Sequence, residues 1–241
     1  MIERVGHSPT QGVSERLRRF VAEAPWERTT ILDFVRGAAA SMSPGTRVLD
    51  IGAGDAPYRE LFEHVDYRTV DWASSCHAGA RVADITASAE TLPCEEGSFD
   101  VVLMTQVLEH VADPPRVLAE AHRVLQQGGS ILLTVPLTWE LHELPHDYYR
   151  YTPAGLRHLL CQAGFEEVRV EPRNDCFATV AQLMRNLRWA MGRADDGLDE
   201  RRDAAAEVLE DLAEAVATLG PLDVAMILPL GYSVVARRPE T

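Results

Sequence analysis

Two stretches of this 241-residue chain set reactive side chains beside bare backbone. In Asp50-Ile-Gly52-Ala-Gly54 a short apolar strand, Arg47 to Ile51, runs directly into two glycines, so a ligand can approach the main chain beyond the strand's carboxyl end. The dinucleotide-binding form of this turn carries a third glycine three residues after the second, and that position is Pro57 here, which argues against a pyrophosphate cradle. Asp71 follows about twenty residues after Asp50, at the end of the next apolar run, a spacing that suits a carboxylate accepting both hydroxyls of a ribose. Nucleoside binding without a diphosphate is the chemistry this pattern supports.

The second stretch is Thr138 to Thr152, TWELHELPHDYYRYT, which gathers polar and aromatic groups after a buried strand. His142 and His146 are candidate proton acceptors, because an imidazole titrates near neutrality, and Asp147 is placed to orient one of them or to hold a substrate cation. Tyr148, Arg150 and Tyr151 read as braces of the loop, and Thr152 as the cap of the next helix. Metal ligation by His142, His146 and Asp147 would rely on a helical spacing that Pro145 interrupts, so no metal is expected.

The elements that must position these groups alternate between strand and helix. Apolar spacing predicts helices over Val13 to Phe20 and Trp26 to Met42, then the strand at Arg47 and a helix from Tyr58 to His64. Strands are expected at Tyr67 to Val70, more weakly at Arg81 to Asp84, and clearly at Phe99 to Met104. A helix from Pro114 to Gln127, stopped by Gly128-Gly129, leads into a strand from Ser130 to Pro136. A helix from Thr152 to Gly164 and a strand from Phe165 to Val170 complete the rhythm, which implies an α/β fold with a doubly wound, mostly parallel sheet.

The rhythm then breaks. Helical stretches at Phe177 to Met191 and Glu200 to Leu219, separated by the acidic loop Asp195 to Asp199, precede a final strand, Tyr232 to Arg237. The expected organisation is an N-terminal helical segment over 1–44, a ligand-binding domain built from 45–173 and 230–241, and a helical insertion over 174–229. Leu183, Leu187 and Met191 form an apolar stripe, with Arg185 and Arg188 free to face water, so the insertion is expected to be a mobile lid over a bound substrate, a homodimer contact or plain core packing.

Composition narrows the partners. With 23 Lys+Arg against 37 Asp+Glu, a net charge of −14, the chain lacks the basic footprint for nucleic acid and would be repelled by anionic membranes. Its basic residues are all arginine, which removes lysine-based Schiff-base chemistry. Cys76, Cys94, Cys161 and Cys176 form no Cys-x-x-Cys pair, so reduced packing cysteines are expected. The start, MIERVGHSPTQG, has no apolar segment behind its charges, and a cytoplasmic location is expected.

Beyond the first strand the ordered motifs VLDIGAGDAPY, TVDW and LPCEEGSFDVVLMTQVLEHVADPPRVLAEAHRVLQQGGSILLTVP closely resemble class I S-adenosylmethionine-dependent methyltransferases, in the small-molecule branch with a Leu-Glu-His signature. The resemblance covers about residues 45 to 172 and implies a Rossmann-like sheet of seven strands with the last antiparallel. It implies S-adenosylmethionine as cofactor, with Asp50, Gly52, Ala53 and Gly54 along its methionine part and ribose, and Asp71 on the ribose hydroxyls. Trp72 would lie against the adenine, Asp84 would receive its amino group with Ile85 alongside, and Gln106 would face the methionine moiety. Glu109 and His110 belong to the signature as organisers of the loop.

Methyl transfer to an oxygen or nitrogen of a small molecule, a specialised metabolite or sugar, is the activity this implies. The alternative is a cofactor-binding protein that does not methylate, serving as a cyclase or a partner subunit. Nucleic-acid amino methylation is disfavoured, because Thr105-Gln-Val-Leu108 replaces the Asn/Asp-Pro-Pro-aromatic loop.

Overall fold

The computed structural model describes residues 10–75, 77, 83–191, 199–219 and 228–240. Cys76, most of the stretch up to Gly79, Arg81 and residues 195–198 of the acidic loop lie outside them. Helices α1 (Glu15–Glu23) and α2 (Pro25–Ala40) precede β1 (Arg47–Ile51), β2 (Asp66–Asp71), β3 (Ile85–Thr86) and β4 (Phe99–Thr105). Then come α3 (Pro114–Val124), β5 (Leu125–Pro136), α4 (Pro153–Gln162), β6 (Glu166–Arg173), α5 (Cys176–Met191), α6 (Asp199–Ala217) and β7 (Gly231–Arg237).

The seven strands form one sheet in the order β3-β2-β1-β4-β5-β7-β6. β1 to β5 run parallel, and β7 inserts antiparallel between β5 and β6. The expected Rossmann-like architecture is what the chain adopts. Because side chains alternate along a strand, each strand feeds two cores. Leu49, Ile51, Val102, Met104, Ile131 and Leu133 point to the side covered by α3 and α4. Val48, Leu103 and Leu132 point to the side where Leu17, Val21, Leu32 and Val35 of α1 and α2 close the sheet. The strand order reverses between β1 and β4, so their following loops diverge and leave a crevice at the carboxyl ends.

Several boundaries differ from expectation. Residues Tyr58 to His64 form a single 3-10 turn, Arg59–Phe62, rather than an α-helix. The Arg59 guanidinium is drawn across to Asp84 and the Thr69 hydroxyl. Of the strand expected at Arg81 to Asp84, Arg81 and Val82 lie outside the described residues; Asp84 is not in a strand, its carboxylate accepting from Thr69 N at 2.9 Å, and β3 begins at Ile85. Gly128-Gly129 does not stop α3; the helix ends at Val124 and β5 starts at Leu125. A side chain at Gly129 would meet the Gln126 carbonyl at 2.8 Å and the Asp100 carbonyl at 3.0 Å, so glycine is required by close backbone approach inside the sheet.

In the insertion, α5 and α6 pack together, and α5 also rests on α2. Arg185 does not face water: it lies 4.6 Å above the Trp26 ring and pairs with Glu210, while Leu187 is half-exposed. The buried positions of α5 are Thr179, Ala181 and Gln182, small or hydrogen-bonding side chains that allow close approach to neighbouring helices. Among the described residues, no helix is long and apolar enough to cross a membrane.

The N-terminal helices are tied to the sheet by a buried ion pair. The Arg173 Nη2 atom, at the end of β6, donates to Glu27 Oε1 at 2.7 Å and also reaches the Val135 carbonyl at 3.3 Å. Breaking such a pair from one side leaves an uncompensated buried charge. Arg173→Met is therefore expected to lower stability by about 3–5 kcal/mol, read as a lower urea midpoint. An unchanged midpoint would refute this anchoring role.

Candidate active site

The site begins where β1 ends. Gly52 adopts φ +69°, and a Cβ there would meet the Val107 side chain at 2.6 Å, so the chain can turn this tightly under the loop after β4 only as glycine. At the neighbouring end of β2, the buried Asp71 carboxylate accepts from Gly54 N at 2.7 Å through Oδ2 and from Trp72 N at 2.7 Å through Oδ1. Each oxygen retains a further lone pair for a ligand.

Around this turn lies a cavity of about 500 Å³. One wall is Ile51, Gly52, Asp71 and Trp72, another is Ala87 to Glu90, and Gln106, Val107 and His110 close the third. Trp72 is 40% exposed and meets the His146 ring edge-on at 5.1 Å. A second cavity of about 200 Å³ adjoins it beyond Gly52 to Gly54 and is lined by Phe20, Glu27 and Arg28 of the N-terminal helices, with Trp139 and His142 from the loop after β5. Gln106 and His110 line both. Gln106 stands at φ +55°, a conformation rare for its type, held by its N donating to the Thr134 carbonyl at 2.9 Å and its Nε2 donating to the Thr134 hydroxyl at 3.1 Å.

Most of the expected binding residues reach these cavities; three do not. Gly52, Ala53, Gly54, Asp71, Trp72 and Gln106 line one or both. Asp50 points from β1 into the opposite core, where it accepts from the Tyr67 hydroxyl and burial pushes its carboxyl up to about 7. Asp84 lines neither cavity, since Thr69 and Arg59 take its carboxylate, and Ile85 packs against the core below. The segment that does line the larger cavity is Ala87 to Glu90, whose polar groups offered no sequence signal beyond following an acidic residue.

The expected catalytic residues separate in the same way. His146 faces the larger cavity against Trp72, whereas His142 faces the smaller one. Asp147 is not an exposed acid. Its side chain is fully buried, grips Arg150 through two contacts of 2.6 and 2.9 Å and accepts from His142 N at 3.0 Å. The Arg150 hydrogen bonds hold its carboxyl down to about 2.

The brace reading of this loop agrees with the geometry: Arg150 also donates to the Glu140 carbonyl, the Tyr151 hydroxyl to the Leu108 carbonyl, and Thr152 accepts from Gly155 N. Glu109 and His110 organise it as well. The Glu109 carbonyl accepts from Tyr148 N at 2.9 Å, and His110 Nδ1 donates to the His146 carbonyl at 2.8 Å. Burial holds the His110 ring below its ordinary pKa, and burial pushes the Glu109 carboxyl up to about 8. His110 meets His142 edge-on at 4.6 Å, a pairing that chain spacing could not reveal.

Switch-point crevice, glycine turn and strand-end acid together give a Rossmann-like fold with an open cavity at the carboxyl edge of its sheet. Residues 49–133 match the family model for a methyltransferase domain, in line with the resemblance of residues 45 to 172 to class I S-adenosylmethionine-dependent methyltransferases. The chain is 31% identical over 150 residues to malonyl-[acyl-carrier protein] O-methyltransferase of Alcanivorax borkumensis, covering 53% of this chain and 51% of that protein. It is 31% identical over 144 residues to ubiquinone biosynthesis O-methyltransferase of Xanthomonas campestris pv. campestris, covering 53% and 59%. The chain thus spans about half the length of the curated relatives it matches. Among solved structures, the [4+2]-cyclase SpnF superposes with a TM-score of 0.59 at 21% identity, over 89% of this chain and 82% of that one, a likeness of fold.

The Asp147 clamp has a pH signature. A carboxyl whose pKa falls on folding adds stability above its unfolded pKa and loses it as pH drops through the folded value. Asp147 therefore contributes on the order of 2 kcal/mol at neutral pH, decaying between about pH 4 and pH 2. The stability gap between the wild type and Asp147→Asn should narrow over that interval in denaturant titrations, and a gap independent of pH would contradict the clamp.

Proposed function

We propose that the protein binds S-adenosylmethionine and transfers its methyl group to an oxygen or nitrogen of a small molecule. The observation that carries this reading is the Asp71 carboxylate, fixed by Gly54 N and Trp72 N at the mouth of a cavity of nucleoside size. In this reading Asp71 accepts the ribose hydroxyls and the adenine lies between Trp72 and the Ala87 to Glu90 segment, with His146 against the Trp72 edge. The methionine part passes Gly52 to Gly54 and Gln106, which brings the sulfonium to the opening between the two cavities.

The acceptor then occupies the smaller cavity, where His110 and His142 present the groups that activate it. The transfer is an in-line displacement: the acceptor lone pair forms the new bond to the methyl carbon, and the carbon–sulfur pair remains on sulfur, which becomes a neutral thioether. Because positive charge is lost at sulfur, alignment and exclusion of water supply much of the rate. Asn186 of α5 donates to Glu140 at 2.5 Å, joining the insertion to the acceptor loop, which supports a covering role for α5.

Cofactor binding without methylation remains the second reading, favoured by the superposition on the [4+2]-cyclase SpnF. Transfer of labelled methyl from S-adenosylmethionine to a panel of hydroxylated and aminated metabolites separates the two. Label in no product, with intact cofactor binding, would leave the second reading.

Two substitutions test the assignment of roles. Asp71→Ala removes charge-assisted hydrogen bonds of about 1.5–3 kcal/mol, so affinity for S-adenosylhomocysteine should fall roughly 10- to 150-fold by calorimetry. Retained affinity would sink the ribose assignment. His142→Asn should lower turnover by roughly 10²–10⁴-fold while cofactor affinity stays within about twofold, because only acceptor activation is lost. A parallel fall in both quantities would move His142 to the cofactor side.

A further inference from the structure

Glu109 follows β4 in a one-turn 3-10 helix, Leu108–His110, and its side chain is fully buried. Among the described residues, neither carboxylate oxygen has a hydrogen-bond partner. The nearby guanidiniums are committed elsewhere, Arg150 to Asp147 and Arg173 to Glu27. An ionised carboxylate in this setting costs several kcal/mol unless a cation joins it.

Two imidazoles stand over it. His110 Nδ1 donates to the His146 carbonyl at 2.8 Å, and His142 Nδ1 lies 3.1 Å from the Glu140 carbonyl and 3.5 Å from Asp147 Oδ2. Each Nδ1 is thereby held in the protonated form, which leaves both Nε2 lone pairs free of these partners. Fixing the tautomer through the remote nitrogen is how proteins prepare histidine as a metal ligand. His110 Nε2 is 3.9 Å from Glu109 Oε1, and one ligand atom from each of Glu109, His110 and His142 lies within 4.8 Å of the others. Ligand atoms around a tetrahedral cation are about 3.3 Å apart, so small side-chain rotations complete the set.

We propose that Glu109, His110 and His142 form a site for a divalent first-row transition cation, with its open position facing the smaller cavity. Two imidazoles and one carboxylate suit zinc, cobalt or iron better than magnesium, which prefers oxygen ligands and ordered water. This set differs from the grouping of His142, His146 and Asp147 that chain spacing brought up and Pro145 argued against; Asp147 is taken by Arg150, and His146 by Trp72.

The existence of the site is independent of the activity; its use rests on the methyl-transfer reading above. A cation there acts as a Lewis acid on a hydroxyl acceptor. The O–H bond breaks with its proton leaving to solvent, the oxygen lone pair forms the bond to the methyl carbon, and the sulfonium leaves as the neutral thioether. The acceptor class favoured is accordingly a hydroxylated one.

The test uses the full chain, stripped with chelator and titrated calorimetrically with Zn²⁺, with Co²⁺ as an absorbance probe and Mg²⁺ as a control. One Zn²⁺ should bind per chain, and Co²⁺ should give the absorption of a low-coordinate nitrogen and oxygen site. His142→Asn and Glu109→Gln should each weaken Zn²⁺ binding at least tenfold, while S-adenosylhomocysteine affinity stays within about twofold. His142 is partly exposed, so its variant carries the test if the Glu109 variant fails to fold. No saturable binding, or Zn²⁺ affinity unchanged in the His142 variant, overturns the site. Zinc binding without cofactor binding would instead overturn the methyl-transfer reading and leave the metal site standing.

Discussion

At the carboxyl ends of two adjacent parallel strands, one carboxylate holds two turns of main chain. Asp71 accepts from Gly54 N, in the turn after β1, and from Trp72 N, in the turn after β2. These donors are left over where the sheet ladder ends, and pairing them internally fixes both turns without a side chain intruding into the crevice. Gly52 can then pass beneath Val107, and the wall of the larger cavity follows.

The opposite wall is held by a different kind of constraint. The loop after β5 has no regular structure of its own between Leu137 and Thr152, so its shape comes from side chains that bond its backbone. Asp147 and Arg150 clamp it internally, while the Glu109 carbonyl and the His110 ring fasten it to the loop after β4. Two loops on neighbouring strands are thus tied together, and His110 and His142, one from each, meet edge to face.

The N-terminal helices both cover the sheet and wall a cavity. Their apolar residues cover one face of the sheet, and the Glu27–Arg173 pair locks α2 to the end of β6. Their other side, through Phe20, Glu27 and Arg28, walls the smaller cavity. The insertion reaches the same region more peripherally, through Asn186 and Glu140. The smaller cavity is therefore assembled from elements distant in sequence, whereas the larger one is built mainly around consecutive strand ends.

That contrast explains what was legible in the chain alone. Alternating apolar runs specified the sheet, and the order of Gly52, Gly54 and Asp71 specified the turn and strand-end acid that wall the cavities, because strand ends and the turns after them are local features. The resemblance set Asp50 and Asp84 beside the ligand, but Asp50 bonds Tyr67 in the opposite core and Thr69 and Arg59 claim the Asp84 carboxylate, contacts that depend on neighbouring strands. Local logic set Asp147 among the reactive groups, when a buried clamp with Arg150 removes it from the cavity. Tertiary structure alone decided that Glu109 and His110 would meet His142, some thirty residues later. Pairwise contact across two loops leaves no periodicity in the sequence, and only the closed fold brings those side chains within a few ångströms.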